Sequence, residues 1–309
     1  MEQEGNTDLS VLPESCIVDI FSRICTSPRD ACRLSAVSLI FQSAADSDSI
    51  WERFFPSDVQ LILSSSVSQS LPDFSSKKEQ FLYLCDNPLL VENGTMTFAL
   101  EKCSGKKCYM IGARELFLFW GYDPKSWKWP SLPESRFSEV AELLGMGWLE
   151  IRGKMETRLL SPNTTYVIYL VYKLTVLANG LQYKSRVTVN LVSCGRSKQQ
   201  GREKSVFLHR PVESKLGREL PDERDANSVP VFTENKNSVP VEVPQERGDG
   251  WMEIVTDVDG GGSRATLKMT EFVINDQANT KEEVYCESVR QPTYRASSCL
   301  QAECFEIET

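Results

Sequence analysis

A chain of 309 residues with a net charge of −9 is too acidic for a typical nucleic-acid-binding protein, because phosphate binding needs clustered Lys and Arg. Apolar residues make up 41% of the sequence, yet no apolar run is long enough to span a bilayer, so we expect no membrane segment. The length fits two domains, or one domain with a small accessory module.

The cysteines and the single histidine narrow the chemistry further. The polar, acidic start MEQEGNTDLS has no feature of a secretory signal, so we expect a protein of the cytoplasm or nucleus whose ten cysteines are reduced thiols. Cys103 and Cys108 are five residues apart, but one histidine, His209, gives a zinc site little support. With one histidine, the sequence also argues against most hydrolases that use a Ser-His or Cys-His pair. We expect no metal, no cofactor and no enzyme, although a carbohydrate-active enzyme with two carboxylates stays open.

Three helices are predicted between Leu12 and Pro56. The first carries an apolar stripe at positions i, i+3, i+4 and i+7, formed by Ile17, Ile20, Phe21 and Ile24. Ser27 is a hydroxyl N-cap followed by a proline, so a second helix begins there and runs through Phe41. A short third helix ends at Pro56. So small a bundle buries little surface alone and is expected to need a partner or a neighbouring domain.

Residues 57–102 are predicted to be a linker that contains a short helix and a hairpin. The stretch from 57 to 74 is rich in serine. Ser76 and Glu79 are expected to form a capping box at the start of the helix. A turn at Asn93-Gly94 then joins two short strands.

A β-domain is predicted from residue 103 to 293, before a polar tail at 294–309. The segments TYVIYLVYKL (165–174) and YKSRVTVNL (183–191) are typical of neighbouring antiparallel strands in a sandwich or jelly roll. The polar stretch 195–237 is interpreted as an inserted loop. Four tryptophans lie among the alternating segments: Trp120, Trp127, Trp129 and Trp148. Each indole fits either a binding surface or the core of the sandwich.

The N-terminal segment resembles an F-box over residues 9–56, after eight residues that we expect to be disordered. The resemblance rests on Leu12-Pro13 at the start, Asp30 at the second helix and Ile50-Trp51 at the end. It implies docking on the Skp-type adaptor of a cullin-based ubiquitin ligase. The implied apolar face consists of Leu12, Pro13, Ile17, Ile20, Val37 and Trp51. Which of these side chains face the adaptor and which face the bundle's own core is left open.

The β-domain resembles the phloem protein two, or Nictaba-related, lectin domain. The resemblance rests on ARELFLFWGYDPKSWKW, SRFSEVAELLGMGWLEIRGK, LLSPNTTYVIYLVYKL and GDGWMEI. It implies a jelly-roll sandwich that binds N-acetylglucosamine oligomers or the cores of N-glycans, and an F-box followed by this domain is a known plant architecture. The expected fold class is therefore multidomain α+β, with a small helical F-box followed by an antiparallel β-sandwich of the jelly-roll type.

By matched position, the resemblance implies a carbohydrate site at Trp120, Trp127 and Glu271. A pyranose stacks its C–H face on an indole, while its hydroxyls need fixed acceptors such as carboxylates. A second acidic position of the family falls on Arg264, which donates hydrogen bonds but accepts none.

The sequence therefore predicts a non-catalytic substrate-recognition subunit of a Skp-cullin-F-box ubiquitin ligase. Its expected partners are the Skp-type adaptor, a cullin bound through that adaptor, and a target protein or glycoprotein carrying N-acetylglucosamine. We expect no nucleic-acid or membrane partner. The alternative keeps the adaptor role but assigns the sandwich to a protein surface, with sugar binding lost. Arg264 favours that alternative, whereas Trp120 and Trp127 favour the lectin.

Overall fold

The computed structural model describes residues 12–67, 71–144, 149–164, 166–174, 184–192, 202–208, 244–248, 250–258, 266–274 and 300–308. The α-helices of these segments are α1 (Glu14–Ile24), α2 (Pro28–Ser35), α3 (Leu39–Ala45), α4 (Asp48–Trp51), α5 (Val59–Ser64) and α6 (Lys77–Asp86). Antiparallel strands follow them along the chain. The predicted order of a small helical unit and then a β-domain is therefore confirmed.

Side-chain hydrogen bonds decide where α2 and α3 begin. Ser27 accepts a hydrogen bond from the amide of Asp30 at 3.3 Å, and the Asp30 carboxylate accepts one from the amide of Ser27 at 3.0 Å, which closes a capping box. The Ser27 hydroxyl, followed by that of Thr26, donates to the same carboxylate and holds the pKa of Asp30 below its ordinary value. The single predicted second helix is wrong, because Ser38 caps a new helix by accepting from the amide of Phe41 at 3.2 Å.

The segment after the first helices contains the short helix and the hairpin that were predicted within residues 57–102, and one further helix. Helix α5 lies within the serine-rich stretch, and its Val59 is buried. Helix α6 begins as predicted, with Ser76 accepting a hydrogen bond from the amide of Glu79 at 3.1 Å. The second bond of the predicted capping box differs. The Glu79 carboxylate accepts a hydrogen bond from the amide of Ser75 at 2.8 Å, whereas the prediction placed this bond at the amide of Ser76. Much of the expected linker is thus regular, packed structure.

The strands form two antiparallel sheets. The nine-stranded sheet contains β1 (Leu89–Val91), β2 (Met96–Leu100), β3 (Lys107–Gly112), β5 (Trp127–Lys128), β6 (Ala141–Leu143), β8 (Tyr166–Leu174), β11 (Gln245–Glu246), β12 (Met252–Val258) and β14 (Leu300–Glu308). The five-stranded sheet contains β4 (Phe117–Leu118), β7 (Ile151–Arg152), β9 (Lys184–Val192), β10 (Arg202–Phe207) and β13 (Thr266–Ile274). Both sheets contribute to one core, in which Leu118 and Ile151 of the smaller sheet are buried with Ile168 and Ile254 of the larger.

Strand pairing corrects three further expectations. The two clearest predicted strands exist as β8 and β9 but lie in different sheets, since β8 pairs with β12 and β14 while β9 pairs with β10 and β13. Part of the expected inserted loop forms the edge strand β10. Part of the expected polar tail forms β14, which pairs with β3, β6 and β8. The end of the chain is therefore an interior strand of the larger sheet.

A buried seam joins the helices to the β-domain. The Trp51 ring contacts those of Phe54 and Phe81, with centroid distances of 5.6 and 5.4 Å, and the latter two rings lie 6.5 Å apart. Phe81 belongs to α6, which packs on β2. At the other end of the seam, Lys107 of β3 has a side chain only 5% exposed, and its ammonium lies 2.8 Å from the carboxylate of Asp58. The neighbouring domain thus supports the helical bundle, as expected for a bundle too small to bury much surface alone.

Candidate functional site: an apolar helical surface and an aromatic turn

Large apolar side chains project into solvent around the start of α3. Leu39, in the first turn of α3, is 82% exposed, and Val37, just before α3, is 65% exposed. Ile40 and Leu12 are also exposed. Glu14 accepts a hydrogen bond from Ser43 of α3 at 2.7 Å, which holds the start of α1 against α3. We call Leu12, Val37, Leu39 and Ile40 the helical apolar surface. Exposed apolar groups of this density mark interaction sites.

The structure divides the six residues that were predicted to contact the adaptor. Leu12, Pro13 and Val37 are exposed, and Ile20 is half-buried. Ile17 and Trp51 are each 1% exposed and belong to the core. The Trp51 indole N–H also donates to the carbonyl of Ala45 at 2.8 Å. Ile17 and Trp51 are therefore core residues of the bundle, and their burial does not agree with direct contact to a partner.

Sequence reasoning missed Leu39 and Ile40. The available signal was Ser38, because a hydroxyl N-cap there begins a new helix and places Leu39 in its first turn. The packed side of α3 is carried by Phe41, whose ring lies 5.1 Å from that of Phe21 in an edge-to-face contact. The prediction of one helix over residues 27–41 did not place Leu39 and Ile40 at the start of a helix, because it overlooked the N-cap of α3 at Ser38.

A second exposed surface consists of β4 and the turn that follows it, here together called the aromatic turn (residues 117–123). Trp120 is 61% exposed, and Tyr122 is completely exposed. The Trp120 indole stacks on the ring of Phe119 at 5.6 Å with 28° between their planes. The backbone of Trp120 has φ of +57°, which is rare for a bulky residue. Strained backbone of this kind is concentrated at functional sites.

Hydrogen bonds fix the aromatic turn in this conformation. The carbonyl of Trp120 accepts from the amide of Asp123 at 2.9 Å. The Asp123 carboxylate accepts from the hydroxyl of Ser126 at 2.7 Å and from the amide of Lys125 at 3.1 Å. These bonds, that from Ser126 first, lower the pKa of Asp123 below its ordinary value. The turn is therefore preorganised for contact with a ligand at neutral pH.

Trp127 and Trp129 differ from Trp120 in their surroundings. Trp127 is 2% exposed, and its indole N–H donates to the carbonyl of Phe119 at 2.9 Å. This burial does not agree with a stacking role for Trp127 and places it beneath the aromatic turn. Trp129 is half-buried, and the guanidinium carbon of Arg114 lies 3.6 Å from its ring centroid. Glu139 holds that guanidinium at 2.8 Å.

Strand register brings Glu271 into line with the aromatic turn. β7 pairs Arg152 with Phe117 on one side and with Glu271 on the other. These three residues therefore form one row across β4, β7 and β13. Phe117 is 51% exposed, and the guanidinium carbon of Arg152 lies 5.0 Å from its ring centroid. The third predicted sugar-binding residue thus lies in a strand row that begins at the aromatic turn.

An ion pair between Arg152 and the buried Glu150 lies at this row. Arg152 pairs with the carboxylate of Glu150, which is 5% exposed. The carbonyl of Glu150 accepts from the amide of Phe119 at 2.9 Å, which ties the strand to the aromatic turn. Exposed aromatic faces and a guanidinium donor that the buried Glu150 holds in place suit a polyhydroxyl ligand or a polar protein surface. Sequence reasoning missed Phe117, Glu150 and Arg152, although alternation in ELFLF and WLEIR was the available signal.

Several expectations fall on residues outside the described segments: residues 1–8, Trp148, His209 and Arg264. Among the described residues, no group of three or more His, Cys, Asp or Glu side chains is placed to hold a metal ion. The described helices are also too short or too polar to cross a membrane.

The helices with their apolar surface and the β-domain with its aromatic turn form the two modules of a protein of the F-box type. An F-box-like family model matches residues 9–57, and the phloem protein 2 model matches residues 106–302. The chain is 40% identical over 249 residues to F-box protein At2g02240 of Arabidopsis thaliana, covering 81% of this chain and 69% of that relative. It is also 40% identical over 263 residues to F-box protein PP2-B1 of the same plant, covering 79% and 75%. The chain therefore belongs to the phloem protein 2 family, with an F-box at its N-terminus.

Proposed function

We propose that this protein is a non-catalytic substrate-recognition subunit of a Skp-cullin-F-box ubiquitin ligase. The observation that carries the proposal is the helical apolar surface, which lies on the F-box and has no intramolecular cover among the described residues. The Skp-type adaptor would bind there and connect the chain to a cullin. The β-domain, for which we propose the jelly-roll arrangement of its family, would select the target.

Replacing Val37 and Leu39 together with aspartate is expected to weaken capture of a Skp-type adaptor at least about a hundredfold. Two large apolar contacts are lost, and two charges are placed where the complex would desolvate them. Pull-down and calorimetry with purified adaptor measure the effect. Leu61→Asp is the control, because Leu61 is 72% exposed on α5 and lies outside residues 9–57, which match the F-box model. Full adaptor affinity in the Val37/Leu39 variant would contradict the proposed docking surface.

We further propose that the aromatic turn binds N-acetylglucosamine-containing glycans on target glycoproteins. Support comes from the exposed Trp120 face, the preorganised turn and the nearby, partly exposed guanidinium of Arg152. The alternative, a reader of a protein surface that has lost sugar binding, draws support from the burial of Trp127 and from the Arg114 guanidinium that lies over Trp129. In both cases the target approaches the five-stranded sheet at the aromatic turn.

Trp120→Ala is expected to lower affinity for chitin-type oligosaccharides at least about tenfold, because a stacked aromatic contact contributes about 0.5–1.5 kcal/mol beyond the area it buries. Titration of the full-length protein on a glycan array, followed by calorimetry, measures this loss. The full chain is needed because a fragment that starts at residue 100 would remove α6 and the β1–β2 hairpin from the larger sheet. Trp120→Phe, which keeps an aromatic face, is the control. A folded wild-type protein that binds no glycan would favour the protein-surface alternative.

A further inference from the structure

An open pocket of about 530 Å³ lies where the F-box meets the β-domain. Three separate segments line it: the start of α2, the loop after β2 and the loop before β8. Arg29 represents the first segment, Lys106 the second and Asn163 the third. The volume is within the range of roughly 300–1,000 Å³ that is usual for small-ligand sites. The aromatic turn and the helical apolar surface contribute none of the residues that line it.

The pocket carries two cations without a carboxylate partner. Arg29 and Lys106 form no ion pair within the described part of the chain. One guanidinium N–H of Arg29 donates to the thiol of Cys103 at 3.3 Å, and a thiol is a weak acceptor. An arginine that is held in place by a weak neutral acceptor keeps most of its donors for a stronger anion.

Two carboxylates near Arg29, those of Glu101 and Asp30, already accept hydrogen bonds from their own loops. Glu101, which lines the pocket, accepts from the amides of Cys103 at 3.0 Å and Ser104 at 2.6 Å. Asp30, next to Arg29 in α2, accepts from Thr26 and Ser27 in the capping arrangement. Each acid is therefore held by hydrogen bonds of its own loop, although both lie close enough to attract the charge of Arg29. The lining residues contain two cations, Arg29 and Lys106, and one carboxylate, Glu101, so the pocket keeps an excess of positive charge on a chain whose net charge is −9.

We propose that this pocket binds a phosphate group, as a phosphate monoester or as free phosphate. Arg29 donates through its planar guanidinium fork, Lys106 supplies a second positive charge, and the exposed Asn163 amide supplies a neutral donor. A phosphate monoester carries between one and two negative charges at pH 7 and offers three strong acceptor oxygens. Because the ligand bridges α2 and two loops of the β-domain, its binding also strengthens the attachment of the F-box.

Calorimetry on the full-length protein at constant ionic strength tests the site with two probes, N-acetyl-O-phosphoserine methylamide and inorganic phosphate. We expect saturable one-site binding that Arg29→Met and Lys106→Met each weaken about tenfold. Arg33→Met is the matched control, since Arg33 is exposed on the same helix but does not line the pocket, and it is expected to bind like the wild type. Binding is expected to weaken between pH 7.5 and pH 5, as the second phosphate proton returns near pH 6.

The two probes distinguish the source of the phosphate group. Tighter binding of the phosphoserine derivative identifies a phosphorylated side chain as the ligand, and equal binding identifies free phosphate. Either result supports the site when Arg29 and Lys106 are required. The absence of saturable binding to the folded protein overturns the proposal, and so does equal weakening by Arg33→Met and Arg29→Met. Adaptor and glycan binding are separate measurements, so a failure here leaves the proposed function standing.

Discussion

Trp51→Ala is expected to lower the free energy of unfolding by about 3–5 kcal/mol, the usual cost of truncating a buried large aromatic side chain. Trp51 is 1% exposed and contacts the rings of Phe54 and Phe81. The substitution leaves a cavity at the seam and removes the donor that satisfies the carbonyl of Ala45. Urea unfolding followed by far-ultraviolet circular dichroism measures the change.

Trp120→Ala is the matched control for this experiment, because it makes the same truncation at a side chain that is 61% exposed. Its expected cost is within about 1 kcal/mol, as for other surface substitutions. Equal destabilisation by the two variants would contradict the core position of Trp51. The comparison also bears on the adaptor experiment. If a Trp51 variant loses adaptor binding, the cause is unfolding of the bundle and not the loss of a direct contact.

Local signals in the sequence predicted helix starts well. Ser27 and Ser76 each cap a helix where a hydroxyl precedes a helical pattern, and the short hairpin near Asn93 forms with that residue at φ of +59°. These features depend on bonds within a few residues, so one sequence contains the needed information. Ser38 carried the same signal, and overlooking it produced the error about the second helix.

Strands that depend on distant partners could not be predicted in the same way. β14 pairs with strands about 130 to 200 positions earlier in the chain, and its register shifts between Ala302 and Cys304. That shift interrupts the alternation that would mark a strand, and the segment therefore resembled a polar tail. β8 and β9 had clear strand patterns, but alternation contains no information about which sheet a strand joins.

The candidate site shows the same limit. An aromatic residue in an alternating segment predicts one face of a strand, but the choice between core and solvent depends on packing. Trp120 and Trp127 are both in the motif that matches the lectin family, yet their exposed fractions are 61% and 2%. The F-box shows the same division. Leu12 and Val37 are exposed, whereas Ile17 and Trp51 are buried. The resemblance identified the regions, and the structure was needed to assign each side chain.

Gly105→Ala is expected to lower the free energy of unfolding by about 2–4 kcal/mol. Gly105 has φ of +72°, and a Cβ atom there would lie 2.8 Å from the carbonyl oxygen of Phe54. The first effect is backbone strain, about 1–2 kcal/mol for a residue other than glycine, and the second is a contact with main-chain atoms that cannot rotate away. Because Phe54 follows α4 and Gly105 lies just before β3, the added methyl group would push the F-box away from the β-domain.

Gly94→Ala separates these two effects, since Gly94 has φ of +84° but no atom within 4 Å of the position that an added methyl group would occupy. It is expected to show the strain alone, about 1–2 kcal/mol by urea unfolding. The excess in Gly105→Ala then measures the close contact across the seam. Equal losses would mean that the F-box yields easily at this contact. A clear excess would mean that the F-box and the β-domain are held in one fixed orientation. The proposed ligase would then receive a target bound at the aromatic turn from a defined direction.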